Sequence, residues 1–151
     1  MGIPRDTRQE QLDAPGPSDH LSQLERAAQA TQLNAFFWVM TNIAVKSILR
    51  HKTWDAVNHL EGSRGLVDQV KYLVGLSTTQ PGQEAWRTTV LPPVQRHTLI
   101  AMLREIAREM EQLTPNIEAI GGHVQAEAIP YVYSFIDLAE TIIRQEGVEM
   151  L

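Results

Sequence analysis

The chain contains no cysteine. Disulfides, thiolate metal sites and cysteine nucleophiles are thereby excluded together, and a reducing, cytoplasmic setting is the natural expectation. Long apolar runs are missing as well. None reaches the roughly 18 residues that a membrane span requires, and Pro4, Arg5 and Asp6 spoil any signal peptide at the start. Positive charge is not in excess: 13 Lys and Arg face 18 Asp and Glu, a net charge of -5. That balance argues against a nucleic-acid surface and permits a cationic ligand without demanding one. Catalytic signatures are lacking too, with no glycine-rich phosphate loop, no GxSxG elbow, no HExxH and no paired-cysteine zinc motif. What is present is 151 residues with 43% apolar content, enough to bury one core without metal or disulfide staples.

Residues 1–17 are polar, hold three prolines and end in Pro-Gly-Pro, which reads as a linker or tail. Such a start suggests that another domain or polypeptide once preceded this one. A single helical domain is expected over 18–151. Ser18 or Asp19 can cap a first helix running from about 19 to about 50, with Leu24, Ala28, Thr31, Ala35, Trp38, Asn42, Val45 and Leu49 as its stripe. Residues 34–49 are apolar on nearly every side, so this helix is expected to be central and covered all round. His51 and Lys52 suit its negative C-terminal end, Thr53 caps the next helix, and the short hinge makes the two antiparallel.

The second helix, from Trp54 to about Leu76, presents Val57, Leu60, Val67, Val70 and Val74 inward, with Arg64 on the same stripe. A guanidinium held inside needs acceptors. Glu61 and Asp68, one turn away on either side, can serve as those acceptors, or the three can form a polar pocket for a guest. Gly62 and Gly65 lie mid-helix, where they allow close approach of a backbone or a ligand. Residues 77–93 read as a long surface connection with a single turn at 83–87. Leu99, Leu103, Ile106, Met110, Leu113, Ile117 and Ile120 alternate steps of four and three through Pro115, which predicts a third helix that kinks and continues until Gly121 and Gly122. Its other face, with Arg104, Glu105, Arg108, Glu109 and Glu111, reads as solvated. Pro130 starts a fourth helix packed through Tyr131, Phe135, Leu138 and Ile142, and Gly147 closes it. The fold class is therefore all-α, an up-and-down four-helix bundle with a long first helix and a kinked third.

Five histidines, His20, His51, His59, His97 and His123, are scattered. A bundle can gather histidines into a DinB-like metal site, yet only His51 and His59 share a neighbourhood, so no metal ligands are assigned. Trp38 and Trp54 either pack or line a pocket.

The stretch FFWVMTNIAVKSILRHKTWDAVNHLEGSRGLVDQV resembles the C-terminal helical domain of aminoglycoside-type nucleotidyltransferases, the kanamycin and streptomycin adenylyltransferase kind. The likeness lies in the aromatic pair Phe37 and Trp38, the basic hinge followed by Trp54 and Ala56, Arg64 in the next helix, Leu91-Pro92, and Pro130. It covers about residues 20–146. The resemblance implies an antibiotic-resistance setting in which carboxylates of this domain help to hold a polycationic aminoglycoside. Trp38, Trp54, Glu61, Arg64 and Asp68 are then the substrate-binding candidates. The family's catalytic head binds magnesium and nucleoside triphosphate through an Asp-x-Asp pair, and this chain has none. The expectation is a non-catalytic, substrate-binding domain working with a nucleotidyltransferase catalytic domain in cis or in trans. The alternative is an interaction bundle that forms a homodimer through helices one and three.

Overall fold

Ser22 opens the first helix. Its backbone is extended and its hydroxyl accepts the amide hydrogen of Glu25 at 3.1 Å, which satisfies one free donor of the first turn. Helix α1 then runs Gln23–Leu49. The computed structural model describes residues 22–78 and 95–149. The tail over 1–17, the caps at Ser18 and Asp19, His20, and the connection from residue 79 onward, with Leu91-Pro92, lie outside the described residues.

A three-residue hinge turns the chain back. His51 adopts φ of 61°, a left-handed conformation uncommon for a residue with a Cβ. Its amide donates to the Ile48 carbonyl at 3.2 Å, and the Lys52 amide donates to Ser47 at 2.9 Å, the paired closure that satisfies the last carbonyls of a helix. The Lys52 carbonyl already accepts from Ala56 at 2.9 Å. Lys52 is therefore the cap of helix α2, Thr53–Leu73, and Thr53 is its first helical residue instead of its cap. The same closure recurs where α2 ends: Gly75 takes φ of 87°, and the Leu76 amide reaches the Lys71 carbonyl at 2.9 Å. The helix stops three residues short of the end expected at Leu76.

Helix α3, Arg96–Gln112, breaks at Leu113 and resumes as α4, Thr114–Ala119, with Pro115 in its first turn. Together they are the kinked third helix that the four-three spacing predicts. Its seam is buried from Leu99 through Ile117, and Ile120 is half-buried. A 3-10 turn, Ala126–Ala128, leads into α5, Ile129–Glu149. Pro130 occupies its first turn, where a missing amide hydrogen is harmless. Gly147 does not end α5 but lies inside it; a glycine in a helix costs only about 1 kcal/mol.

The all-α bundle of four helices stands, but the helices run up, down, down, up instead of alternating strictly as the up-and-down reading expects, because the third helix begins at the same end of the bundle as the second. Arg96 at the start of α3 reaches the Leu49 carbonyl at the end of α1, and Gln23 at the start of α1 reaches the Ile120 carbonyl. Arg96 also pairs with Glu146 near the end of α5. Hence α1 and α5 are parallel to each other, and both are antiparallel to α2 and α3.

The inner stripe of α1 is Ala27, Ala30, Asn34, Phe37, Thr41, Ala44 and Ile48, one residue earlier than the spacing suggests, with Trp38 and Val45 of the expected stripe buried beside it. In α5 it is Ile129, Val132, Ile136, Ala139 and Ile143, again one residue out of phase. Both helices are apolar on most sides, so several phases bury similar area, and packing against α2 and α3 decides between them. In α2 the buried position between Leu60 and Val67 is Ser63, not Arg64. The step of three carries a small hydroxyl into the core and leaves the guanidinium half-buried at its margin, which avoids the desolvation of a full charge. Nor is α1 covered all round. Phe36, Val39 and Ile43 are exposed by 52%, 56% and 37%, because each helix of a four-helix bundle keeps one side toward solvent.

Polar ties lock α3 to α5. Arg104 pairs with Asp137 at 2.7 Å and Glu140 at 3.0 Å, so it is not part of a freely solvated face. Burial alone would lower its pKa; the hydrogen bonds and charges of the two carboxylates outweigh that and raise it. The Tyr133 hydroxyl donates to Glu111 at 3.0 Å. Among the described residues no helix is long and apolar enough to cross a membrane.

Candidate functional site

Between α1 and α5 lies a groove of about 340 Å³. Its walls come from the stripes that the spacing assigned to the core: Thr31, Ala35, Trp38 and Asn42 of α1, and Tyr131 of α5. Asn34 and Val132 of the inner stripes, together with Val39, also border it, so more than one phase of each helix lines the groove.

Trp38 is the largest wall. Its indole is only 6% exposed, meets Phe37 edge to face with centroids 5.0 Å apart, and lies 6.2 Å from the Tyr133 ring, which fixes its orientation. One turn before it stands Asn34, 2% exposed. The Trp38 Nε1 and the Asn34 Nδ2 are both buried donors without an acceptor among the described residues. Such groups cost about 1–3 kcal/mol each when left unpaired; both belong to residues that line the groove, and the nitrogens themselves are closed to solvent.

The floor of the groove is held in place by Thr31. Its hydroxyl donates to the Ala27 carbonyl at 2.8 Å and accepts the His123 amide at 3.0 Å, pinning the segment before the 3-10 turn onto α1. Gly122 makes this approach feasible: a Cβ there would stand 2.6 Å from Ile117 Cγ2 and 3.0 Å from Thr31 Oγ1, closer than atoms tolerate. Beyond this pin, His123 and Gln125 add polar side chains to the rim. Among the described residues the lining holds amides, two hydroxyls, an imidazole and aromatic rings, and no carboxylate.

The five candidate residues are not gathered in one place. Trp38 lines the groove, whereas Trp54, 67% exposed, belongs to a shallow concavity at the hinge with His51, Lys52, Thr53 and Asp55. Glu61 and Arg64 are half-buried, Asp68 is exposed, and none of the three borders either concavity. Among the described residues no ion pair joins Arg64 to Glu61 or Asp68. Gly62 and Gly65 admit no close neighbour, since nothing lies within 4 Å of the place a Cβ would take at either. Asn34 and Asn42 also line the groove; the sequence signals them only as polar residues inside an otherwise apolar helix. Of the histidines, His123 reaches the groove and His51 approaches Glu146 at 3.9 Å. Among the described residues no three His, Asp or Glu side chains gather as metal ligands.

Comparisons with protein-family models, with curated proteins and with solved structures find no match to this chain.

Proposed function

We propose that the chain is a non-catalytic ligand-binding helical domain whose site is the groove between α1 and α5. The observation that carries this reading is the pair of unpartnered donors, Trp38 Nε1 and Asn34 Nδ2, beside one aromatic-walled groove. Its chemistry favours a small, flat ligand offering a hydrogen-bond acceptor, stacked or edged against Trp38. The absence of a carboxylate from the lining favours an uncharged ligand over a polycation. The sequence resemblance supplies the setting: a domain that holds substrate beside a separate nucleotidyltransferase head, which would bring the magnesium and the nucleoside triphosphate.

A thermal-shift screen of uncharged aromatic compounds, nucleosides, aminoglycosides and divalent cations tests it, with tryptophan fluorescence as a second readout. A ligand at a hundredfold excess over its Kd stabilises by about 2.7 kcal/mol, so a hit is plainly visible. Asn34→Leu separates the groove from other sites. The variant is expected to melt higher than the parent, because it replaces an unpaired amide by an apolar group of similar size, and to lose the response to the hit. If no compound shifts the parent, or if Asn34→Leu binds the hit unchanged, the groove is not the site.

A further inference from the structure

The outer side of α1 carries a third regular series. Glu25, Gln29, Gln32, Phe36, Val39, Ile43, Lys46 and Arg50 follow one another in steps of four and three, and all eight are exposed. This is heptad spacing, the pattern by which one helix packs along another. The apolar members stand together in the middle, the acid is at the N-terminal end, and the bases are at the C-terminal end. By contrast, the seam of α3, considered as a dimer face from the sequence, is consumed within the core.

We infer that this face binds a second copy of the same chain, with the two α1 helices side by side and antiparallel. The argument is its charge order. A two-fold pairing brings a face onto itself reversed, so residue i meets residue 75 − i of its partner when Phe36 is set against the partner's Val39. Phe36 then meets the partner's Val39, Gln32 meets the partner's Ile43, Gln29 the partner's Lys46, and Glu25 the partner's Arg50. The aromatic and aliphatic residues at the centre meet each other, and the acid at one end meets a base at both ends of the pair. A parallel pairing would place Lys46 on Lys46 and Arg50 on Arg50, which is repulsive. Antiparallel packing also opposes the two helix dipoles.

Two neighbouring features enlarge the surface. Tyr131 and Leu138, seven residues apart on one side of α5, are exposed, and Tyr131 shares the groove with Val39. Val39 thus belongs both to the seam and to the groove wall, so the partner's α1 borders the groove mouth. The pairing itself does not depend on any ligand in the groove.

The test is the mass of the full chain in solution by analytical ultracentrifugation across micromolar concentrations, against a single-chain mass of 17.0 kDa. The expected species has twice that mass and falls to one chain in Val39→Glu, which puts a carboxylate at the seam centre. Far-UV circular dichroism checks that this exposed substitution leaves the helices intact. Charge exchange keeps the proposal testable if Val39→Glu unfolds. Glu25→Arg is expected to weaken the dimer, and Glu25→Arg with Arg50→Glu to restore it. Because the chain has no cysteine, register can be read by crosslinking. The double variant Gln29→Cys with Lys46→Cys is expected to form an oxidised dimer, since the two positions lie about 25 Å apart within one helix and cannot bridge internally. A monomer at all concentrations, a dimer indifferent to Val39→Glu and to both charge changes, or a double variant that fails to crosslink overturns the inference. None of these readouts involves a groove ligand, so they stand or fall apart from the ligand-binding reading.

Discussion

At the scale of single residues, the structure separates polar groups that are satisfied from those that are not. Thr41 returns its hydroxyl to the Phe37 carbonyl at 2.9 Å, a local solution to burial inside α1, whereas Asn34 in the same stripe has none for its amide nitrogen. Tyr133 is the satisfied case with a measurable consequence. Burial, then the hydrogen bond to Glu111, raise its phenol pKa well above the ordinary value. In the unfolded chain the phenol ionises near about 10, so above that pH the unfolded state binds fewer protons than the folded one. The contribution to stability is therefore complete below about 10 and is lost as pH rises beyond it. Tyr133→Phe removes the group that titrates. In urea unfolding the gap between parent and variant is expected to narrow as pH is raised from about 8 to about 11, and a constant gap would show that the phenol's proton is not linked to folding.

Helix starts and stops were partly legible for similar local reasons. Gly121 and Gly122 mark the end of α4 because a left-handed residue is needed there, and glycine meets that need without strain. His51 performs the same task at φ of 61°, and nothing in a histidine announces it. The Ser22-to-Glu25 pair has the spacing of a capping signal, yet Ser18 and Asp19 competed with it in the sequence.

At the scale of elements, legibility tracked how one-sided each helix is. Charged residues crowd one face of α3, so its seam has one phase and was read correctly through Pro115. In α1 and α5 apolar residues surround the axis, and the stripe that the spacing suggests lies one residue late in α1, apart from the buried Trp38 and Val45, and one residue early in α5. Part of that stripe, Thr31, Ala35, Trp38 and Asn42 of α1 and Tyr131 of α5, lines the groove. Arg64 was misplaced for a related reason: steps of three and of four from Leu60 both give helical spacing, and only the cost of burying charge chooses Ser63. Helix α2 offers a direct test of helix propensity. Gly62 and Gly65 have ordinary backbone and open space around them. Gly62→Ala and Gly65→Ala are each expected to add about 1 kcal/mol, a rise in Tm of about 2–4 °C apiece for a chain of this size. Calorimetry showing a loss instead would reveal a neighbour that these glycines accommodate.

At the scale of the whole molecule, the long-range polar ties concentrate between α3 and α5. Arg104 is 20% exposed, while Asp137 and Glu140 are more open, so the pair is worth little more than a surface bridge. Arg104→Met, which keeps the stem's packing, is expected to cost about 1 kcal/mol, read as a lower urea midpoint with unchanged slope. A larger cost would mean that Asp137 and Glu140 are left in a drier place than their exposure indicates.

The up, down, down, up order also decides how the bundle responds to mechanical load. Since α1 and α5 are parallel, residue 22 and residue 149 emerge at opposite ends, roughly 40 Å apart by the rise of a 27-residue helix. Tension applied there draws α1 and α5 past each other lengthwise, so their contacts must slide together in shear. A bundle whose termini share one end would instead peel open a turn at a time.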